Sequence, residues 1–368
     1  MKYYIIAGEA SGDLHGSNLM KALLKEDGKA DIRFWGGDLM KQIGGTLVKH
    51  YKERAFMGFV EVFMNFKKVL GMISFCKKDL INFRPDVIIF IDNSGFNLRI
   101  AKWAKALGFR TNYYISPQVW ASRAKRVEKI KKNIDAMFVI LPFEKKFYQQ
   151  YNYPVNFVGH PLIDAISNRT EIDEACFREQ YRIGKKPIIA LLPGSRKQEI
   201  LKMLSKMLSL VDVFPEYQFV IAGAPSQSAD FYKSIIGSKK ACYINNKTYD
   251  ILSISCAALV TSGTATLETA LFRVPQVVCY KASMLSYQIA KRIITLRHIS
   301  LVNLILNKEV VKELIQQNFT KKTLTLELKN TLDVNMRSEI LQAYDTLEQM
   351  LGGKGASENT AKAIVANL

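Results

Sequence analysis

The sequence predicts an α/β protein built from two Rossmann-like parallel-sheet domains facing an interdomain cleft. Three observations carry that expectation. Short apolar runs alternate with amphipathic stretches along the first half of the chain, and the alternation restarts after the polar, acid-rich passage 167–179. The length of 368 residues suits two domains at about 100–200 residues each. Apolar runs bounded by Gly, Pro, Asn and Asp and separated by helices mark parallel sheets covered on both faces.

In the first domain, 1–165, strands are expected at 3–7, 32–35, 87–91, 112–115, 136–140 and 155–158, with helical periodicity at 18–25 and 98–107. In the second, 166–340, they are expected at 187–192, 218–222, 241–244, 257–261 and 276–280. A helical tail, 341–368, is interrupted by Gly352, Gly353 and Gly355, and its return to the first domain is left open by the sequence.

Lys and Arg total 52 against 33 acids, a formal charge of +19. Such a field attracts nucleic acid, an anionic membrane face or phosphorylated substrates. No zinc-finger, RNP or helix-turn-helix signature is present and the basic residues are spread along the chain, so nucleic acid is not expected as a partner. Five cysteines lack any C-x-x-C spacing, and four histidines form no cluster. That argues against a disulfide framework or a metal site and fits a reducing cytoplasm. The first apolar run is too short for a signal peptide, and Glu9 and Asp13 put charge immediately after it. The longest uncharged stretch, 251–267, falls short of the ~20 apolar residues of a spanning helix.

Ligands of open α/β sheets bind beyond the carboxyl ends of the strands, which directs attention to four loops. AGEASGD at 7–13 combines small residues that admit a ligand with the polar Glu9, Ser11 and Asp13. It is not G-x-G-x-x-G and has no acid at dinucleotide spacing, so NAD is not expected; a tight turn with a helix cap is the plainer reading. IDNSGFN at 91–97 closes the most apolar strand and delivers Asp92 as a candidate general base, or Asp92 or Asn93 as a helix cap. LLPGSRKQE at 191–199 offers backbone N–H groups and the Arg196 guanidinium to a diphosphate, or Ser195 as a cap. TSGTATLE at 261–268 presents hydroxyls and free amides to phosphate, with Glu268 one turn on to hold ribose hydroxyls; capping explains part of it.

These segments, together with RPDVIIFID at 84–92, YISPQVWASRAKRVEKI at 114–130, LPFEKKFY at 141–148, FVGHPLID at 157–164 and SLVNLI at 300–305, resemble the lipid-A-disaccharide synthase family in the same order over about residues 3–315. The resemblance implies a GT-B glycosyltransferase. It would transfer 2,3-diacylglucosamine from UDP-2,3-diacylglucosamine to the 6-hydroxyl of 2,3-diacylglucosamine 1-phosphate. UDP and the β(1→6) disaccharide of lipid A would be formed with inversion, a step toward the lipopolysaccharide of the Gram-negative outer membrane. It implies no cofactor and no metal, in keeping with the missing Asp-x-Asp signature. Carried over by position, Asp92 is the essential strand-end acid, with Glu9, Ser11 and Asp13 completing the catalytic set. Arg196 and Ser195 hold the diphosphate, Ser262, Gly263, Thr264 and Glu268 form the UDP loop, and Asn303 matches the Asn of S-L-P-N. Ser94 and Gly95 replace the usual Pro and second Asp, Val302 the Pro of S-L-P-N, and Gln118 a Ser.

Acylated substrates imply a cytoplasmic enzyme peripheral on the inner membrane. The stretch 56–75 reads as an interfacial helix through Phe59, Val60, Phe63, Phe66, Leu70 and Ile73 with Lys67, Lys68, Lys77 and Lys78 nearby, or as a buried core helix. Arg123, Lys125, Arg126 and Lys129 are candidates for the acceptor phosphate, or a solvated basic face. Oligomerisation is left open. The competing enzyme reading is another GT-B member, such as a UDP-sugar epimerase or a transferase acting on a lipid-linked peptidoglycan precursor, sharing the nucleotide site without AGEASGD or SPQVW.

Overall fold

A computed structural model describes residues 1–54, 66–122, 124–283, 287–288 and 296–368. The chain forms two compact units, Met1–Asp164 with Leu351–Leu368, and Ala165–Met350.

In unit one, seven strands form a parallel sheet in the order β3-β2-β1-β4-β5-β6-β7. They are β1 (Lys2–Ala7), β2 (Asp31–Gly36), β3 (Thr46–His50), β4 (Val87–Ile91), β5 (Thr111–Tyr114), β6 (Ala136–Val139) and β7 (Asn156–Phe157). The helices that matter for the site are α1 (Ala10–Glu26), α2 (Asp38–Ile43), α3 (Phe66–Phe83), α4 (Ser94–Ala106) and α5 (Pro142–Gln149). All five residues of β4 are buried, as its unbroken Val/Ile/Phe composition requires of a strand covered on both faces.

Unit two repeats the plan with six parallel strands in the order β10-β9-β8-β11-β12-β13. They are β8 (Ile188–Leu192), β9 (Gln218–Gly223), β10 (Ala241–Asn245), β11 (Ser255–Thr261), β12 (Gln276–Tyr280) and β13 (Glu313–Ile315). Its helices include α6 (Lys197–Leu208), α7 (Thr264–Leu271), α8 (Leu301–Leu306), α9 (Lys321–Leu332) and α10 (Val334–Met350). The last helix, α11 (Ala356–Ala366), packs on α1 of unit one, burying Ala361 and Ile364 in the core that holds Leu19 and Leu23.

The sequence-expected strands all form, with ends displaced by one or two residues. Two others, β3 and β13, escaped the apolar-run criterion. Each is a sheet edge, and β3 has only Leu47 and Val48 as apolar residues, leaving none of its five residues fully buried.

Candidate active site

Each sheet reverses its strand order once: between β1 and β4 in unit one, and between β8 and β11 in unit two. At such a switch point the following loops diverge to opposite faces and leave a crevice at the carboxyl ends of the strands. The four loops singled out from the sequence are the four that follow β1, β4, β8 and β11.

In unit one, Ala7 pairs with Ile91, which brings the two loops side by side. A Cβ on Gly8 would lie 1.8 Å from Nδ2 of Asn93, so a side chain there would push Asn93 aside. Glu9 is exposed at the N-cap of α1 without a side-chain capping bond, and Ser11 is exposed in the first turn. Asp92 and Asn93 both adopt the left-handed conformation, with φ of 46° and 44°. Asn97 enforces this arrangement. Its buried amide donates to the carbonyls of Asp92 at 2.8 Å, Ile91 at 3.2 Å and Ile6 at 3.4 Å, tying the ends of β1 and β4 together. The Tyr113 hydroxyl donates to the same Asp92 carbonyl. Burial, and then the negative charge of Glu9, raise the Asp92 carboxyl above its ordinary range. Asn97 lies within the IDNSGFN motif, and its spacing from Asp92 was the one signal available for it.

Asp13 has a different task from the one expected. Its buried carboxylate accepts from the backbone N–H groups of Gly37 at 2.7 Å, Leu39 at 3.1 Å and Met40 at 3.1 Å, capping α2. With both oxygens engaged by the orphan amides of a helix start, it serves the fold around the loop.

In unit two, Arg196 is the N-cap of α6, its side chain 84% exposed and its Nη1 3.2 Å from Glu199. Ser195 is exposed, and its carbonyl accepts from Ser226 at 3.0 Å. Gly263 caps α7 with φ of 149°, a conformation that strains any L side chain, and Thr264 is exposed at the first helical position. The Ser262 hydroxyl donates to the carbonyl of Ile299 at 2.8 Å. Glu268 accepts from the Tyr249 hydroxyl at 2.9 Å and is raised by burial. It lines a cavity of about 320 Å³ together with residues 246–250. Tyr249 gave no signal in the sequence, because it sits on a short helix, Thr248–Ser253, 19 residues before Glu268.

Asn303 requires a correction. It is fully buried, and its side chain is wholly engaged. Nδ2 donates to Val311 O at 2.8 Å and Glu313 at 2.9 Å, while Oδ1 accepts from Val310 N at 2.9 Å and Val311 N at 3.0 Å. Glu313 also accepts from the amides of Ile299 and Ser300, both at 2.9 Å. The pair shapes the backbone that receives Ser262, and no polar atom of Asn303 is left for a ligand.

Of the other candidates, Lys125 and Lys129 are exposed and Arg126 is half-buried; Arg123 lies outside the described residues. Phe59, Val60 and Phe63 also lie outside them. Leu70 is exposed on α3 while Ile73 packs against the core. A separate cavity of about 780 Å³ lies among Arg84, Asp86, Arg110 and Leu368, at the amino ends of β1, β4 and β5, away from the loops that follow the strands.

Similarity to known proteins decides the family. The sequence model described as lipid-A-disaccharide synthetase matches residues 3–367. The lipid-A-disaccharide synthase of Geobacter metallireducens is 37% identical over 99% of this chain and 96% of the relative. That of Syntrophus aciditrophicus is 38% identical over 97% and 95%. The chain belongs to the lipid-A-disaccharide synthase family. Its activity is glycosyl transfer from a UDP-sugar to a lipid acceptor, giving the disaccharide of lipid A. The fold is shared more widely. A UDP-GlcNAc 2-epimerase from Neisseria meningitidis, bound to UDP-GlcNAc, superposes with a TM-score of 0.69 at 14% identity over 100% of this chain and 99% of that one. The S. aureus MnaA–UDP structure gives 0.70 at 14% identity over 99% and 94%. At that identity the likeness speaks for the GT-B fold alone.

Proposed function

We propose that Asp92 is the general base of an inverting transfer that needs no metal. The acceptor 6-oxygen attacks the anomeric carbon of 2,3-diacylglucosamine, Asp92 takes the hydroxyl proton, and the anomeric C–O bond breaks with its electron pair passing to the diphosphate of UDP. What carries this reading is the placement of Asp92: a half-buried acid at the switch point of unit one, held in a left-handed conformation by Asn97 and Tyr113. Burial and the neighbouring Glu9 raise its proton affinity, the property a base needs for a weakly acidic alcohol. Glu9 therefore acts on Asp92, Ser11 is available to the acceptor, and Asp13 supports the loop through α2.

Unit two carries the donor in this reading. The free amides after Gly194 and Gly263 and the exposed Arg196 meet the developing charge on the diphosphate. Glu268, oriented by Tyr249, meets the ribose hydroxyls. The acyl chains are delivered from an anionic membrane surface. Among the described residues no helix is long and apolar enough to cross a membrane. The exposed Leu70, Phe75 and Ile81 of α3, beside Lys68 and Lys78, suit contact with one instead.

The test is Asp92→Asn with both acylated sugars, following UDP release. Turnover should fall by far more than about tenfold, the ~1.4 kcal/mol step that ordinary perturbation produces, while UDP binding is kept. Turnover within tenfold of the parent removes Asp92 from the role of base.

A further inference from the structure

The loop that follows β5 begins beside Asp92 and is gripped by α5. Ile91 pairs with Tyr114, and the Asp92 N–H donates to the Tyr114 carbonyl at 3.4 Å. The next residue on each strand, Asp92 and Ile115, takes a left-handed backbone, with φ of 46° and 66°. That conformation is an outlier for a β-branched residue and persists only where neighbours impose it. The chain then runs through Ser116, Pro117 and the exposed Gln118 into the helical turn Val119–Ser122.

Ser116 is buried, and its hydroxyl lies 2.6 Å from the Tyr148 hydroxyl of α5. The Trp120 ring meets the ring of Phe143, also on α5, edge-on at 4.9 Å. Between those two helix positions sits Glu144, which is buried. Its Oε2 accepts from the backbone N–H groups of Leu141 at 2.9 Å and Ile140 at 3.2 Å. That is a helix cap, and it occupies one oxygen. The Ser116 hydroxyl and the Trp120 indole are the side-chain donors beside the carboxylate. The indole Nε1 is itself buried and short of bonding geometry with any acceptor. Capping does not call for a buried acid, because burial disfavours the charge. Here burial pushes the carboxyl up to about 7, against the pull of the Leu141 and Ile140 amides, Ser116 and Trp120. A carboxyl kept at that cost, with a strand end on one side and the loop on the other, fixes both.

We propose that Glu144 is a positioning residue for the glycosyl transfer: by joining the end of β6 to Ser116 and Trp120, it sets the 115–120 loop as the wall that holds the acceptor sugar beside Asp92. Being buried, Glu144 touches neither substrate and acts through the loop. The inference rests on the reading of Asp92 as the base and adds to it what keeps the acceptor oxygen within the base's reach. Placement matters because a shift of about 1 Å at a reacting centre costs on the order of 100-fold in rate.

The experiment compares the full-chain parent with Glu144→Gln, Trp120→Phe and the double variant. It measures kcat and KM for each acylated sugar, UDP affinity by titration calorimetry, and thermal melts. Glutamine keeps an oxygen for the Leu141 and Ile140 amides but turns an N–H toward Ser116 and Trp120, so the cap survives and the grip on the loop is lost. Glu144→Gln should lower kcat/KM for the acceptor about tenfold or more, with UDP affinity and melting temperature kept. Trp120→Phe should lose part of this, and the double variant no more than Glu144→Gln alone, as residues acting together do. A folded Glu144→Gln protein with the parent's acceptor kinetics overturns the proposal. So does an equal loss of UDP affinity, or strictly additive losses, either of which marks a structural cap. If Glu144→Gln does not fold, Ser116→Ala with Trp120→Phe decides the matter: unchanged acceptor kinetics overturn the proposal, and an acceptor-selective loss upholds it. Turnover kept in Asp92→Asn while Glu144→Gln loses the acceptor sinks the base reading and leaves Glu144 in its role.

Discussion

Asp92 owes its raised proton affinity to two causes that respond to different substitutions. Burial comes from the packing of β4 and α4 and is not removed by any single surface change. The charge of Glu9 is removable. A base works deprotonated, so turnover must fall as pH drops through the raised pKa of Asp92. Glu9→Gln takes away one raising influence, moves that pKa toward the ordinary ~3.9, and should shift the acid limb of kcat/KM to lower pH. A pH profile of the two proteins decides it, and a limb that stays in place would mean that another group sets it. The same desolvation means that folding favours the protonated acid, so stability contributed at low pH is lost as pH rises through the folded pKa. Asp92→Asn is therefore expected to lose turnover without losing stability at neutral pH. Asp92 was legible in the sequence because an acid ending a wholly apolar strand is unusual. Its left-handed backbone was not, since the Asn97 and Tyr113 bonds that hold it come from another helix and another strand.

At the scale of elements, capping contacts and the edges of sheets separate what could be read from what could not. The four βα loops were found because strand ends with Gly, Ser and charged residues are local patterns. Asp13 and Asn303 were assigned to chemistry from the same kind of local pattern, and both turn out to satisfy backbone groups of neighbouring elements. For Asn303 the consequence is measurable. Asn303→Ala would leave Glu313 and the amides of Val310 and Val311 short of partners inside the protein. A loss of about 2–4 kcal/mol of unfolding free energy is expected, read by denaturant titration. Unchanged stability with weakened UDP binding would return Asn303 to the donor site. The stretch between β12 and β13 hides this role, because Glu313 is ten residues from Asn303 and no periodicity links them.

At the scale of the whole molecule, the charge of +19 and the exposed face of α3 act in one direction. Leu70 and Ile81 are 48% and 47% exposed on one side of α3, whereas Phe75 sets its ring against the buried Trp35. Leu70→Ser with Ile81→Ser should release the protein from anionic vesicles while its melting temperature is kept, and the parent's binding should weaken with salt. Co-sedimentation that is the same for both proteins would rule out this face as the contact. The chain path matters here too: α11 completes the core of unit one after the whole of unit two has been made. Nothing in the tail's composition announces which surface its apolar stripe will cover.

The two alternating α/β runs, the break between them and the loops that carry polar residues were set by local periodicity and by residue type, both of which are properties of short segments. The edge strands β3 and β13, the partners of Asp13 and Asn303, and the clamp on Asp92 were decided only when distant segments packed. Burial removes water from polar groups and makes their satisfaction compulsory, and which group satisfies which depends on three-dimensional neighbours that a linear sequence does not identify.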